Sequence, residues 1–181
     1  MIGALMRAGD LAAAESGGAA ALARCRDAGD MHDLPFLLML MANLDMEAGR
    51  FQDAAANLRE GLQIALRAGD LWKVGSGLWA CADLCTAPGR YADAATLWAA
   101  YDVHARQHGH TGQPPQEARW REEALGKIRQ ALGPARVQAA EQRGAAMSLD
   151  TAAEYALLLT APAPSAAAAG PGLGGLRPGR R

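Results

Sequence analysis

Cys81 and Cys85 stand four residues apart, and His104 and His108 repeat that spacing further along. On a helix each pair shares one face a single turn apart, the spacing at which thiolates and imidazoles hold a zinc ion. Gly89 between them argues against a joint site. In an antiparallel hairpin turning there, Cys81 falls opposite about position 97, which leaves His104 roughly 10 Å further along. The thiols are therefore read as members of a buried apolar stripe, and His104, His108 and His110 as a solvated helix end. Gly75-Ser76-Gly77 invites comparison with a nucleophile elbow, but no strand precedes it, and close helix packing accounts for its small residues. Glu122 and Glu123 are adjacent, so on a helix they diverge by about 100° and make no acid–base pair. His32 stands alone. No enzyme, metal site or cofactor is expected from these residues.

Charge narrows the classes further. Arg119, Arg121, Lys127, Arg129, Arg136 and Arg143 make the late part of the chain its most basic, yet Glu117, Glu122, Glu123 and Glu141 are interleaved, which reads as an exposed, salt-bridged helix face. Over the whole chain 18 Lys+Arg meet 19 Asp+Glu, so the basic excess of a nucleic-acid binder is missing. Three cysteines, an odd number, suit a reducing compartment. No apolar run approaches the roughly 18 residues a membrane helix needs, and Met1 to Arg7 lacks the pattern of a signal peptide. A cytoplasmic location is expected, with no membrane partner.

The elements that must position these residues follow from a repeat. Ala8-Gly9-Asp10, Ala28-Gly29-Asp30, Ala48-Gly49-Arg50, Ala68-Gly69-Asp70 and Pro88-Gly89-Arg90 place a glycine every 20 residues. Each glycine supplies the left-handed turn that closes one helix, and the polar residue after it opens the next. The turns alternate in character, so the unit is 40 residues and two helices. Residues 28–69 laid over 68–109 share Asp30 with Asp70, Leu38 with Leu78, Leu44 with Leu84, Arg50 with Arg90 and Asp53-Ala54-Ala55 with Asp93-Ala94-Ala95. Leu34, Leu37, Leu38, Met41, Leu44 and Ala48 form one helical stripe, and Ala54, Ala55, Leu58, Leu62, Ala65 and Leu66 the next. Phe51 and Tyr91 are expected to fill the notch beside each turn. The fold class is therefore all-α: antiparallel helical hairpins similar to tetratricopeptide repeats, stacked as a short solenoid.

The expected organisation is a repeat domain over 1–159. It comprises a half hairpin and helix over 1–28, hairpins over 29–68 and 69–109, and capping helices over 116–159 that cover the open end. Trp120, Ala124, Leu125, Ile128, Ala131 and Leu132 give the first capping helix its apolar side, Gly133-Pro134 starts a second, and Ser148 caps a third containing Ala153, Ala156, Leu157 and Leu159. Residues 160–181, rich in Ala, Pro, Gly and Arg, are expected to be disordered. With only half a first helix before Gly9, the chain is expected to begin inside a longer protein or to meet a partner there, and self-association through residues 1–28 is a further expectation.

The ordered succession Gly89-Arg90-Tyr91-Ala92-Asp93-Ala94-Ala95-Thr96-Leu97-Trp98, the Pro114-Pro115 loop, Glu117-Ala118-Arg119-Trp120, Ala131-Leu132-Gly133 and Met147 to Leu157 resembles the C-terminal helical-repeat region of large actinobacterial LuxR-type transcriptional regulators. The resemblance spans roughly 28–159. It implies a module that senses, oligomerises or relays within transcription regulation and signal transduction. This chain lacks the phosphate-binding loop that the family's ATPase carries, and Pro171 to Arg181 stands where the family's helix-turn-helix would follow.

The expected binding surface lies on the first helix of each hairpin, where Phe36, Met39 and Asn43 align with Ser76, Trp79 and Asp83, and Trp72 lies before Trp79. Aromatics beside Asn43 and Asp83 suit capture of a protein segment or small effector in a concave groove. The expected function is thus a non-catalytic protein-interaction or effector-sensing module. The alternative is a DNA-associated regulator acting through the basic late helices and tail, although DNA contact is not expected without a helix-turn-helix.

Overall fold

Six glycines at 20-residue spacing, from Gly9 to Gly109, all adopt φ between 65° and 77°, a region closed to most side chains. They punctuate the chain as the sequence requires. The structure is a computed structural model that describes residues 9–109 and 115–162, without the side chains of 115–118 and 120. Among the described residues it is all-α, with eight helices: α1 (Leu11–Ala28), α2 (Leu34–Glu47), α3 (Phe51–Ala68), α4 (Leu71–Thr86), α5 (Tyr91–Gln107), α6 (Pro115–Leu132), α7 (Pro134–Ala145) and α8 (Leu149–Leu159). The expectations for residues 1–8, for the loop over 110–114 with His110 and Pro114, for the Trp120 side chain and for the tail beyond 162 lie outside the described residues.

The helix starts follow local chemistry. Asp10, Asp70 and Ser148 accept hydrogen bonds from the backbone N–H groups of Ala13, Lys73 and Thr151, each 3.1 Å, satisfying donors that the first turn leaves unpaired. Pro35 and Pro134 occupy first turns, where a missing N–H is harmless. Asp53 and Asp93 stand in the first turns of α3 and α5, favourably placed in the helix dipole.

Packing joins neighbours in sequence first: α2 lies on α3, α3 on α4 and α4 on α5, while α2 also touches α4. Leu58, Leu62, Val74, Leu78, Leu97 and Trp98 form the centre of the main core, each at most 2% exposed. Full burial of such side chains stabilises by about 1.5–3 kcal/mol each. Glycines set the helix separations. A Cβ on Gly77 would stand 3.1 Å from Leu62 Cδ1, and one on Gly61 would stand 3.3 Å from the Pro35 carbonyl oxygen.

The chain after the repeats returns to them. Helix α7 runs along α5, and α8 crosses α3, α4 and α5. Ala152, Ala153 and Ala156 bury one face of α8 completely. Its last carbonyls are held from the repeats: Arg59 donates to the Leu157 carbonyl, and Arg90 donates to that of Leu159 at 3.1 Å. The Tyr155 hydroxyl donates to Asp93 at 2.5 Å.

Three packing expectations are corrected. Ala48 is exposed, because α2 ends at Glu47 and Ala48 is its C-cap, already leaving the apolar stripe. Phe51 is 42% exposed rather than filling a notch. It is the first residue of α3, while its counterpart Tyr91 packs against the main core at the turn that also holds α8. Ala131, expected on the apolar side of α6, is exposed, and Ile128 carries that helix's full burial.

Candidate functional site

Phe36 lies in the first turn of α2 and Trp72 in the first turn of α4. Stacking of these two helices brings the rings together, with centroids 6.5 Å apart and planes tilted by 35°. Both remain open to solvent, Phe36 at 43% and Trp72 at 48%, and Met31 and Leu71 beside them in sequence are exposed as well. Four large apolar side chains thus line the start of two packed helices without cover from the described residues.

The support is polar and specific. Lys73 is buried, its ammonium paired with Asp70 and 3.4 Å from Nδ1 of His32, so it ties the start of α4 to the turn before α2. The hydrogen bond from Lys73 holds the Asp70 carboxyl below the usual carboxylate range. Asp30 fixes the turn by accepting from the backbone N–H groups of His32, at 3.0 Å, and Asp33, at 3.1 Å. Asp30 and Asp33 therefore place two carboxylates in the turn that leads into α2.

The six sequence-predicted residues do not form one surface cluster. Phe36 and Trp72 meet. Met39 is half-buried against the main core, and Asn43 and Asp83 are half-buried further along α2 and α4. Trp79 belongs to a different group: its ring lies 6.1 Å from Trp98 and 5.3 Å, edge-on, from Tyr101. The Arg121 guanidinium sits 5.3 Å over Trp79 and 6.0 Å from Trp98, while both its terminal nitrogens donate to the Asp102 carboxylate.

Sequence reasoning missed this second group, and placed Arg121 on an exposed face. Arg121 is instead 18% exposed at its side chain, because Asp102 and the two indoles draw it against α5. A signal was present in the repeat. Trp98, Tyr101 and Asp102 stand where the preceding hairpin has Leu58, Gly61 and Leu62, inside a run over 96–104 in which no residue matches its repeat counterpart, whereas Asp93-Ala94-Ala95 just before it does.

The remaining candidates resolve as packing. Burial pushes the Cys85 thiol up to about 11 and the Cys81 thiol further up, so neither offers a thiolate near neutral pH. His104 is not solvated as expected. It is 5% exposed, with Nε2 3.0 Å from the Leu71 carbonyl and its ring against Gly75, which leaves room for it by lacking a Cβ. His108 Nδ1 lies 3.0 Å from the His104 carbonyl. Among the described residues no three His, Cys, Asp or Glu side chains group to hold a metal ion. Gly75 and Gly77 serve close packing, as their sequence predicts. Of the basic residues, Arg129 pairs with Glu122 at 2.8 Å and Arg143 donates to Thr96 at 3.1 Å.

No family model, curated protein or solved structure matches this chain. None of the described helices is long and apolar enough to cross a membrane.

Proposed function

We propose that this chain is a non-catalytic interaction module of the tetratricopeptide type, a relative of the helical-repeat region of LuxR-type regulators, that captures a protein segment at the paired starts of α2 and α4. The exposed Phe36–Trp72 pair is the observation that carries this reading. Large aromatics on successive first helices offer adjacent anchor points at small entropic cost. Asp30 and Asp33 in the turn that leads into α2 favour a segment that combines apolar anchors with Lys or Arg. The engagement of Arg121, Arg129 and Arg143 within the fold disfavours a phosphate-binding face.

Selection of peptides from a random displayed library against the folded chain, followed by fluorescence-anisotropy titration, tests it. Basic peptides with apolar anchors should bind, and Phe36→Ala or Trp72→Ala should each weaken them by about 30-fold, the loss of a hot-spot aromatic. Binding indifferent to both substitutions would refute the assignment. Duplex DNA titrated in parallel separates the alternative, since DNA affinity falls steeply with added salt.

A further inference from the structure

Two buried side-chain donors have no hydrogen-bond partner among the described residues, Nε1 of Trp98 and Nε of Arg121. They belong to neighbouring, stacked groups, and both residues line one cleft of about 420 Å³ between α5, α6 and α7. Buried polar groups are paired in nearly all folded proteins, so two orphans at one place call for an acceptor. The indole N–H can only donate, and Arg121 has already committed its terminal nitrogens to Asp102. A cation cannot satisfy either group. An oxygen with free lone pairs can.

The rest of the lining defines what carries that oxygen. Arg121 is taken up by Asp102 and Arg129 by Glu122, so the lining charges left over are Arg106 and Glu141. Arg106 is exposed and forms no ion pair among the described residues. Leu125 and Trp98 supply apolar wall. The volume sits near the lower end of small-molecule sites, enough for a ligand on the order of 10–20 non-hydrogen atoms. An inorganic anion would leave the apolar wall uncovered, and a neutral hydrocarbon would leave both donors unpaired. We propose that the cleft between α5, α6 and α7 binds a small organic carboxylate with a flat apolar body, its carboxylate taking up the two orphaned donors and its charge met by Arg106. The cleft shares no residue with the Phe36–Trp72 face, so the two assignments stand or fall separately.

The test is nitrogen–proton NMR of the full chain, with the Trp98 indole resonance assigned through Trp98→Phe and the Arg121 Nε–H through Arg121→Lys. Phenylacetate, salicylate and indole-3-acetate are titrated as probes, against phenylacetamide and inorganic phosphate. At least one acid should shift both resonances saturably with a Kd below about 1 mM, at most about −4 kcal/mol. Arg106→Gln, at the exposed rim, and the cleft-filling Leu125→Trp, on the apolar wall, should each weaken that binding by about tenfold. Unmoved resonances with all three acids overturn the proposal. So does an equal response to phosphate, which would mark a bare anion site, or binding that ignores both substitutions.

Discussion

Gly144 lies in the last turn of α7, where that helix comes nearest α5. A Cβ placed there would overlap the Thr96 carbonyl oxygen and stand 2.9 Å from its carbonyl carbon and 3.0 Å from Ala99 Cβ. The obstacle is backbone, so no rotamer change relieves it. In Gly144→Ala, α7 must back away from α5 by about 1 Å, the scale on which close-packed interiors resist insertion. That movement stretches two bonds across the interface, Thr96 Oγ1 to the Ala140 carbonyl at 3.2 Å and Arg143 to Thr96 at 3.1 Å. Overpacking costs about 1–3 kcal/mol, and each weakened hydrogen bond adds up to about 1 kcal/mol. The better helix propensity of Ala offsets less than about 1 kcal/mol. The net loss is about 2–3 kcal/mol, a fall in Tm of about 5–10 °C for a chain of this size. Gly126→Ala is the internal control: a Cβ there meets nothing within 4 Å in the middle of α6, so propensity acts alone and Tm should rise by about 2–4 °C. Thermal melts followed by circular dichroism at 222 nm read both. A Gly144→Ala protein that melts at or above the parent temperature would refute the close approach of α7 to α5.

Asp70→Asn keeps an acceptor for the α4 cap but strips the buried Lys73 of its carboxylate, and should cost about 1–3 kcal/mol in urea denaturation. Because the Asp70 pKa is lowered on folding, its contribution is full above about pH 4 and is lost as pH falls through the lowered value, so the deficit should be constant at pH 5–7 and shrink in acid; a deficit that widens in acid would contradict the pairing. Burial, aided by its bond to Asp93, pushes Tyr155 up to about 12. Its contribution to stability is full below about pH 10 and lost as pH rises through about 12, and the tyrosinate absorbance that Tyr155→Phe deletes should develop near pH 12. A thiol reagent at pH 8 should label Cys25 in the folded chain and reach Cys81 and Cys85 only after denaturant is added, since those two are buried and Cys25 is half-exposed; prompt labelling of either buried thiol would argue against the α4 packing.

The turns were legible because a left-handed backbone admits little besides glycine, so the 20-residue spacing of Gly9 to Gly89 marked where each helix ends, although after Gly29 the next helix starts only at Leu34, with Asp33 rather than Asp30 at its N-cap. The stripes of α2 and α3 and the Ser148 cap were legible for the same local reason. Long-range neighbours were not. Nothing near His104 in sequence signals that Gly75, 29 residues earlier, opens a socket for its ring, and nothing near Arg121 signals that Asp102 and two indoles receive it. Charge interleaving gave an exposed face for α6, and tertiary pairing overrode it. The exposed Phe36 and Trp72 were found from composition and spacing, but their separation from Trp79 depends on Trp98 and Tyr101 of α5 and Arg121 of α6 packing against the Trp79 ring.

Departures from a repeat carry information that matches do not. In the first hairpin Gly61 lets α3 approach the Pro35 carbonyl and Leu62 is buried; the same positions of the second hairpin hold Tyr101 and Asp102, because that surface of α5 faces Arg121 of α6. Restoring the repeat residue tests whether the exchange was made for α6. Asp102→Leu leaves the Arg121 guanidinium, 18% exposed, without its carboxylate, and should cost about 2–3 kcal/mol; Arg121→Leu alone leaves a more accessible carboxylate and should cost less. If the pair is what holds α6, the double variant should be more stable than Asp102→Leu alone, with a coupling energy of about 1–3 kcal/mol in a double-mutant cycle. Coupling near zero would make Asp102–Arg121 an ordinary surface ion pair, and the placement of α6 would then rest on Ile128 and the indole stack alone.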